Sequence, residues 1–154
     1  VNYSQVEQFI KENVEDDDFT GRISIEKINE IQESLNVKLP ESYKWFLKNY
    51  GAGGIYGVDI LDHGKVSPRV VTVTENYRNH YGLIDGIVVI EYIDEFSYCL
   101  DTNKMEGGEC PVILWENQED YGRTVADNFL YFFMEELEES KENWEEDEDW
   151  EDEE

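Results

Sequence analysis

Leu35-Asn36-Val37-Lys38-Leu39-Pro40-Glu41-Ser42-Tyr43-Lys44-Trp45-Phe46-Leu47 is the stretch from which the fold reads outward, because it holds a helix stop and a helix start four residues apart. Asn36 suits the stop, since asparagine tolerates the left-handed conformation that ends helices. Leu39-Pro40-Glu41 suits the start, with proline at the first helical position, where its missing N–H is harmless. Tyr43, Phe46, Leu47 and Tyr50 then recur at helical spacing, and Gly51 closes the element. Upstream, residues 24–35 form a second amphipathic pattern, with Ser24 as cap, Glu26 near the positive end, and Ile28, Ile31 and Leu35 on one face. Further upstream, Ser4 and Glu7 are spaced as a capping box ahead of Val6, Phe9 and Ile10. The acidic run Glu15-Asp16-Asp17-Asp18 separates these two helices as a loop.

Downstream of the Gly51-Ala52-Gly53-Gly54 turn the period changes. Residues 55–61 alternate, which predicts a strand with Tyr56, Val58 and Ile60 on one face. Residues 67–81 admit two readings: Ser67-Pro68 can open a helix, whereas the β-branched run Val70-Val71-Thr72-Val73-Thr74 favours a strand. Residues 86–93, 96–101 and 111–115 are short apolar or alternating runs divided by turn residues, and predict an antiparallel meander. Thr124, with Asp127 three residues on, predicts the cap of a last helix that carries Ala126, Phe129, Leu130, Phe133 and Leu137. Helices, then strands, then a helix indicate a single α+β domain.

The chain has 154 residues, enough for one core. Its 38 Asp and Glu against 12 Lys and Arg give a net charge of −26, a field that argues against direct binding of nucleic acid or anionic membranes. The acid is unevenly placed. Residues 135–154 hold 14 acidic side chains and one lysine, half of the net charge, so the sequence predicts a domain over 1–139 and an acidic, flexible tail over 140–154. Two cysteines make no disulfide framework, there is no basic, apolar leader, and no run approaches the ~18 apolar residues of a membrane span. A reducing cytoplasm is the simplest setting.

No catalytic set stands out. The only histidines, His63 and His80, have no sequence-local partners. Cys99 falls on a predicted strand, and Cys110, before Pro111, reads as the more accessible thiol. Carboxylates are so abundant that a pair suited to acid–base work carries little information. Neither 15–18 nor the tail has the glycine and alternating ligands of a calcium loop. The 51–54 glycine run follows a helix rather than opening one, so it reads as a turn and not a phosphate cradle. Hence no catalytic residue, cofactor or metal ligand is expected. Trp144 and Trp150 within the acidic tail suit either a solubilising end or a grip on a basic partner.

The opening stretch resembles the SUKH superfamily of SMI1/KNR4-like proteins, whose hallmark is a short V-x-L-P link, a helix reading Y-x-x-F-L, and a glycine turn. Val37, Leu39, Pro40, Tyr43, Phe46, Leu47, Gly51, Gly53 and Gly54 supply it here. Ile113-Leu114-Trp115 and 129–133 resemble the family's closing strand and helix, so the likeness spans about residues 4–139. The resemblance implies an α+β fold with helices around a mixed, mainly antiparallel sheet, and favours a helix for 67–81. It also implies an immunity protein that binds and neutralises a cognate bacterial toxin, often a nuclease; other members are regulatory interaction modules. A basic nuclease domain would complement this acidic chain. Acid beside aromatics nominates Tyr56, Asp59, Asp62, Glu91, Asp94, Glu95 and Glu116 as surface contacts. The oligomeric state is not legible.

Overall fold

The computed structural model describes residues 1–15, 18–56, 58, 60–61, 69–93, 96–116 and 122–152, with side chains described as far as residue 146. Helices α1 (Tyr3–Asn13), α2 (Ile25–Leu35), α3 (Glu41–Asn49) and α4 (Arg69–His80) precede strands β1 (Ile87–Ile93), β2 (Phe96–Asp101), β3 (Val112–Glu116) and β4 (Arg123–Ala126), and helix α5 (Phe129–Asp152) closes the chain. The α+β reading is therefore met.

The helix boundaries show local chemistry at work. Helix α1 is capped two residues earlier than Ser4 and Glu7 suggest: Asn2 Oδ1 accepts the Gln5 N–H and Gln5 Oε1 accepts the Asn2 N–H, both at 2.9 Å. Ser24 caps α2 and Asn36 ends it at φ 55°, as expected. Pro40 is the cap residue of α3 and offers no side chain to it. Glu109, from the turn between β2 and β3, supplies that cap by accepting from the Ser42 N–H at 3.0 Å and from the Ser42 hydroxyl. Gly51 closes α3 at φ 81°, and a Cβ there would run into the Gly21 carbonyl.

The described residues of 55–61 do not form the predicted strand. Tyr56 takes a left-handed φ of 54°, which breaks the period of two, and among the described residues of this run Ile60 alone forms a bridge, to Gly53. Ile55, Val58, Ile60 and Leu61 are nonetheless buried. The described residues of the run lie outside any strand, and buried polar groups there are met singly: the Leu61 N–H donates to the Ile90 carbonyl at 2.7 Å in β1, and the Leu61 carbonyl accepts from the Tyr43 hydroxyl at 2.9 Å.

Segment 69–80 is a helix because Val70, Val71, Thr74 and Tyr77 all enter the core at helical spacing, and that burial outweighs β-branched propensity. Thr124, predicted as a cap, lies instead in β4, paired with Ile113. Asn128 caps α5, its Oδ1 accepting the Tyr131 N–H at 2.8 Å.

The four strands form one sheet in the order β1-β2-β3-β4, with every pairing antiparallel. Helix α4 covers one face: Thr74 Oγ1 accepts the Val89 N–H at 3.0 Å, the Ser97 hydroxyl donates to Tyr77 at 3.0 Å, and the Tyr77 ring lies 5.4 Å from Trp115. Helix α2 lies outside α4, joined by Arg78 donating to the Leu35 carbonyl at 3.0 Å. Helix α5 crosses the other face, and its Phe129 and Phe133 stack into an aromatic cluster with Tyr43 and Phe46 of α3. This helix is continuous across Glu139. Beyond it, Lys141 Nζ sits 5.6 Å from the Phe9 ring centre and the Trp144 ring lies 6.0 Å from Tyr56.

Candidate functional site

Strand register decides which side chains share the α5 face of the sheet. Glu91, Tyr98, Leu114 and Arg123 stand opposite one another in one row, and Ile93, Phe96 and Glu116 in the next. The bulge at Ile90, between Val89 and Glu91, aims Glu91 at this face, because one extra residue reverses the alternation. Tyr98 packs against Phe132 of α5 at 4.8 Å and against Phe96 at 5.6 Å. Phe96 and Tyr98 are half-buried, Ile93 and Glu116 reach solvent, and Glu139 is exposed about two turns beyond Phe132 along α5. The result is an aromatic patch edged by carboxylates at the end of β1 and β2.

Beneath it lies a carboxyl pair. Glu91 is only 4% exposed, and Glu136, one turn after Phe132, hydrogen-bonds to it. Burial, that hydrogen bond, and the charges of Glu91 and Glu139 raise the Glu136 pKa far above the carboxylate range, so the two carboxyl groups share a proton at neutral pH. Burial raises the Tyr98 pKa as well, helped by Glu136, Glu91 and Glu139 and opposed by Arg123. The local field is negative.

The nominated contacts divide. Glu91 does not present acid to solvent as expected: the bulge turns it inward, where it supports the patch from below. Glu116 is exposed at the patch rim. Tyr56 stands about 12 Å farther along α5, near Trp144, with its hydroxyl donating to Asn13 Oδ1 at 2.8 Å. Asp59, Asp62, Asp94 and Glu95 lie outside the described residues. Phe96, Tyr98, Phe132, Glu136 and Glu139 were not singled out by the sequence. Their signals are there in hindsight: an acid interrupting the apolar run of β1, and Glu136 four residues after Phe132 on the buried side of α5.

Neither thiol offers chemistry. Cys110, expected to be the accessible one, is 2% exposed, and burial together with the Glu109 and Asp101 charges pushes its pKa up to about 12. Burial raises Cys99 further still. His80 is exposed at the end of α4, and His63 lies outside the described residues. Among the described residues, no group of three or more His, Cys, Asp or Glu is placed to hold a metal ion, and no helix is long and apolar enough to cross a membrane. A second cleft of about 330 Å3 runs along α4, lined by Arg69, Thr72, Asn76, Tyr77, Tyr81 and Tyr92 on the opposite face of the sheet.

Comparison with protein families agrees with the V-x-L-P link, the buried Tyr43, Phe46 and Leu47, and the closing strand and helix: the family described as SUKH_5, SMI1-KNR4 cell-wall, matches residues 5–138. That span runs from α1 into α5, takes in Ile93, Phe96, Tyr98, Glu116 and Glu136, and stops before Glu139 and the acid that follows. The chain belongs to the SUKH superfamily, in its SMI1-KNR4 branch.

Proposed function

We propose that this protein is an immunity protein, acting in the cytoplasm, that binds and neutralises a cognate bacterial toxin with a basic nuclease domain. The observation that carries the reading is the patch of Ile93, Phe96 and Tyr98 edged by Glu116 and Glu139 in a chain of net charge −26. A nuclease surface shaped for phosphates is basic, so acid at the rim of the patch steers the encounter while the aromatic centre is desolvated on docking. Inhibition is then stoichiometric: the bound protein occupies or screens the cleft that nucleic acid needs. Asp94 and Glu95, between Ile93 and Phe96 in the chain, belong to the same proposed rim, with Tyr56, Asp59 and Asp62 as outlying contacts. Glu91 contributes from below as half of the carboxyl pair.

Family membership supports an interaction module, and the charge supports a basic partner. The test is co-expression with the toxin encoded beside this gene. Protection of the host and a 1:1 complex are expected, whereas neither complex nor protection refutes the proposal. A single strong partner captured from toxin-free cells would point instead to a regulatory module.

A further inference from the structure

We propose that Glu91 and Glu136 form a proton-held clasp: while they share a proton the second half of α5 stays docked on the domain, and loss of that proton lets the helix undock from Glu136 onward. Carboxylates are acceptors only, so the hydrogen bond between these two side chains exists with a proton in place and turns into a repulsion without it. The bulge in β1 is what brings the two together, by turning Glu91 toward α5. Glu136 Oε2 is buried and, among the described residues, meets no hydrogen-bond donor, so the bond to Glu91 is what ties this side chain to the sheet. Tyr98 on β2 and Glu139 on α5 face the pair, and Arg123 on β4 stands in the same row, three strands from Glu91. Arg123 acts on Tyr98, whereas the charges acting on Glu136 are those of Glu91 and Glu139, both negative.

Glu136 sits where the anchoring of α5 ends. On its N-terminal side, Phe129 and Phe133 lie 5.7 and 5.1 Å from the Phe46 ring, and Phe132 lies 4.8 Å from Tyr98. Leu137 is the last fully buried residue, and from 138 to 146 none is. Two lateral contacts remain there: Lys141 over the Phe9 ring, and Trp144, 51% exposed, beside Tyr56. Charge opposes the helix as well. Glu135, Glu138, Glu139, Glu142, Glu145 and Glu146 recur at three- and four-residue spacing, where like charges destabilise a helix, and acid toward a C-terminus also meets the wrong end of the helix dipole. A segment with few buried contacts and this charge opens at a lower free energy than the core does.

Proton and docking are therefore linked. In water Glu136 ionises near its ordinary value of 4.5, so undocking at neutral pH releases the shared proton. One proton released makes the undocked form about ten-fold more populated for each unit of pH. What undocking frees is the terminal acid: residues 142–154 hold ten acidic side chains and no lysine or arginine. The clasp thus grades, with pH, how firmly that acid is held against α1.

The experiment uses the full chain and no toxin, so it is independent of the proposed function. Amide hydrogen exchange is followed by mass spectrometry between pH 6 and 8, with each rate divided by that of an unstructured peptide at the same pH. Residues 137–146 are expected to be less protected than α3, and their protection to fall about ten-fold per pH unit. Glu136→Gln and Glu91→Gln each keep a hydrogen bond across the pair without the shared proton, so either should make protection of 137–146 independent of pH. Glu139→Gln, which removes an exposed acid from the same helix, should keep the wild-type slope. Wild-type protection that does not change with pH overturns the proposal, as does a slope that survives in both pair variants. Opening of 137–146 only together with α3 overturns it equally, because the proton would then act on the whole fold.

Discussion

One proton sits between Glu91 and Glu136, and its thermodynamics follow from burial. Glu136 has its pKa raised in the folded protein, so above the ordinary value of 4.5 the folded state binds a proton that the unfolded chain has released. Stability contributed by this group is full below that ordinary value and is lost as pH rises toward the folded pKa, at up to about 1.4 kcal/mol per pH unit. Between pH 6 and 8 the wild type should therefore weaken in urea titrations, while Glu136→Gln, which keeps the donor and removes the titration, should flatten the slope and be the more stable protein at pH 8. An equal slope in both would show that the pair is not protonated. Backbone geometry makes a second residue as decisive. Gly51 has φ 81° and its missing side chain leaves room for the Gly21 carbonyl, so Gly51→Ala should cost roughly 2 kcal/mol or more in the same titration.

Elements whose ends are set by neighbours in sequence were legible, and those set from a distance were not. Helix α2 could be bounded from Ser24 and Asn36 because both act within their own turn. The cap of α3 could not, since Glu109 lies 67 residues from Ser42 and only the fold brings them together. Glu109→Ala should cost about 1–2 kcal/mol of stability, and Glu109→Gln, which still offers one acceptor, less than half of that. The helix over Arg69–His80 defied β-branched propensity because four of its side chains are needed in the core. Segment 55–61 shows the reverse: its apolar alternation was real and Ile55, Val58, Ile60 and Leu61 are buried, yet a left-handed Tyr56 breaks the strand period among its described residues. Strand β4 is four residues long with only its last one buried, so its pattern was too short to read. The same reasoning applies to the patch. Glu116 was legible as exposed acid, but the partnership of Glu91 with Glu136 depends on a bulge and a helix crossing that no local pattern encodes.

At the scale of the molecule, charge runs on past the family match. The match ends at residue 138, whereas the densest acid follows it along the same helix α5, so the matched region and the acid beyond it both contribute negative field. Under the proposed function, long-range attraction to a basic partner would draw on both, and short-range specificity would belong to Phe96, Tyr98 and their rim. Deleting the acid beyond 141 should therefore slow association several-fold at low salt while leaving dissociation of the complex nearly unchanged in surface plasmon resonance. The central claim is that the patch on the α5 face grips a basic toxin domain. Calorimetric titration of the cognate toxin domain with wild-type protein, Glu116→Lys, and Glu26→Lys on α2 tests it most directly. The account predicts a 1:1 complex that weakens as salt rises, at least ten-fold loss of affinity for Glu116→Lys, and no more than two-fold for Glu26→Lys. Equal affinity for wild type and Glu116→Lys, or binding indifferent to salt, would contradict it.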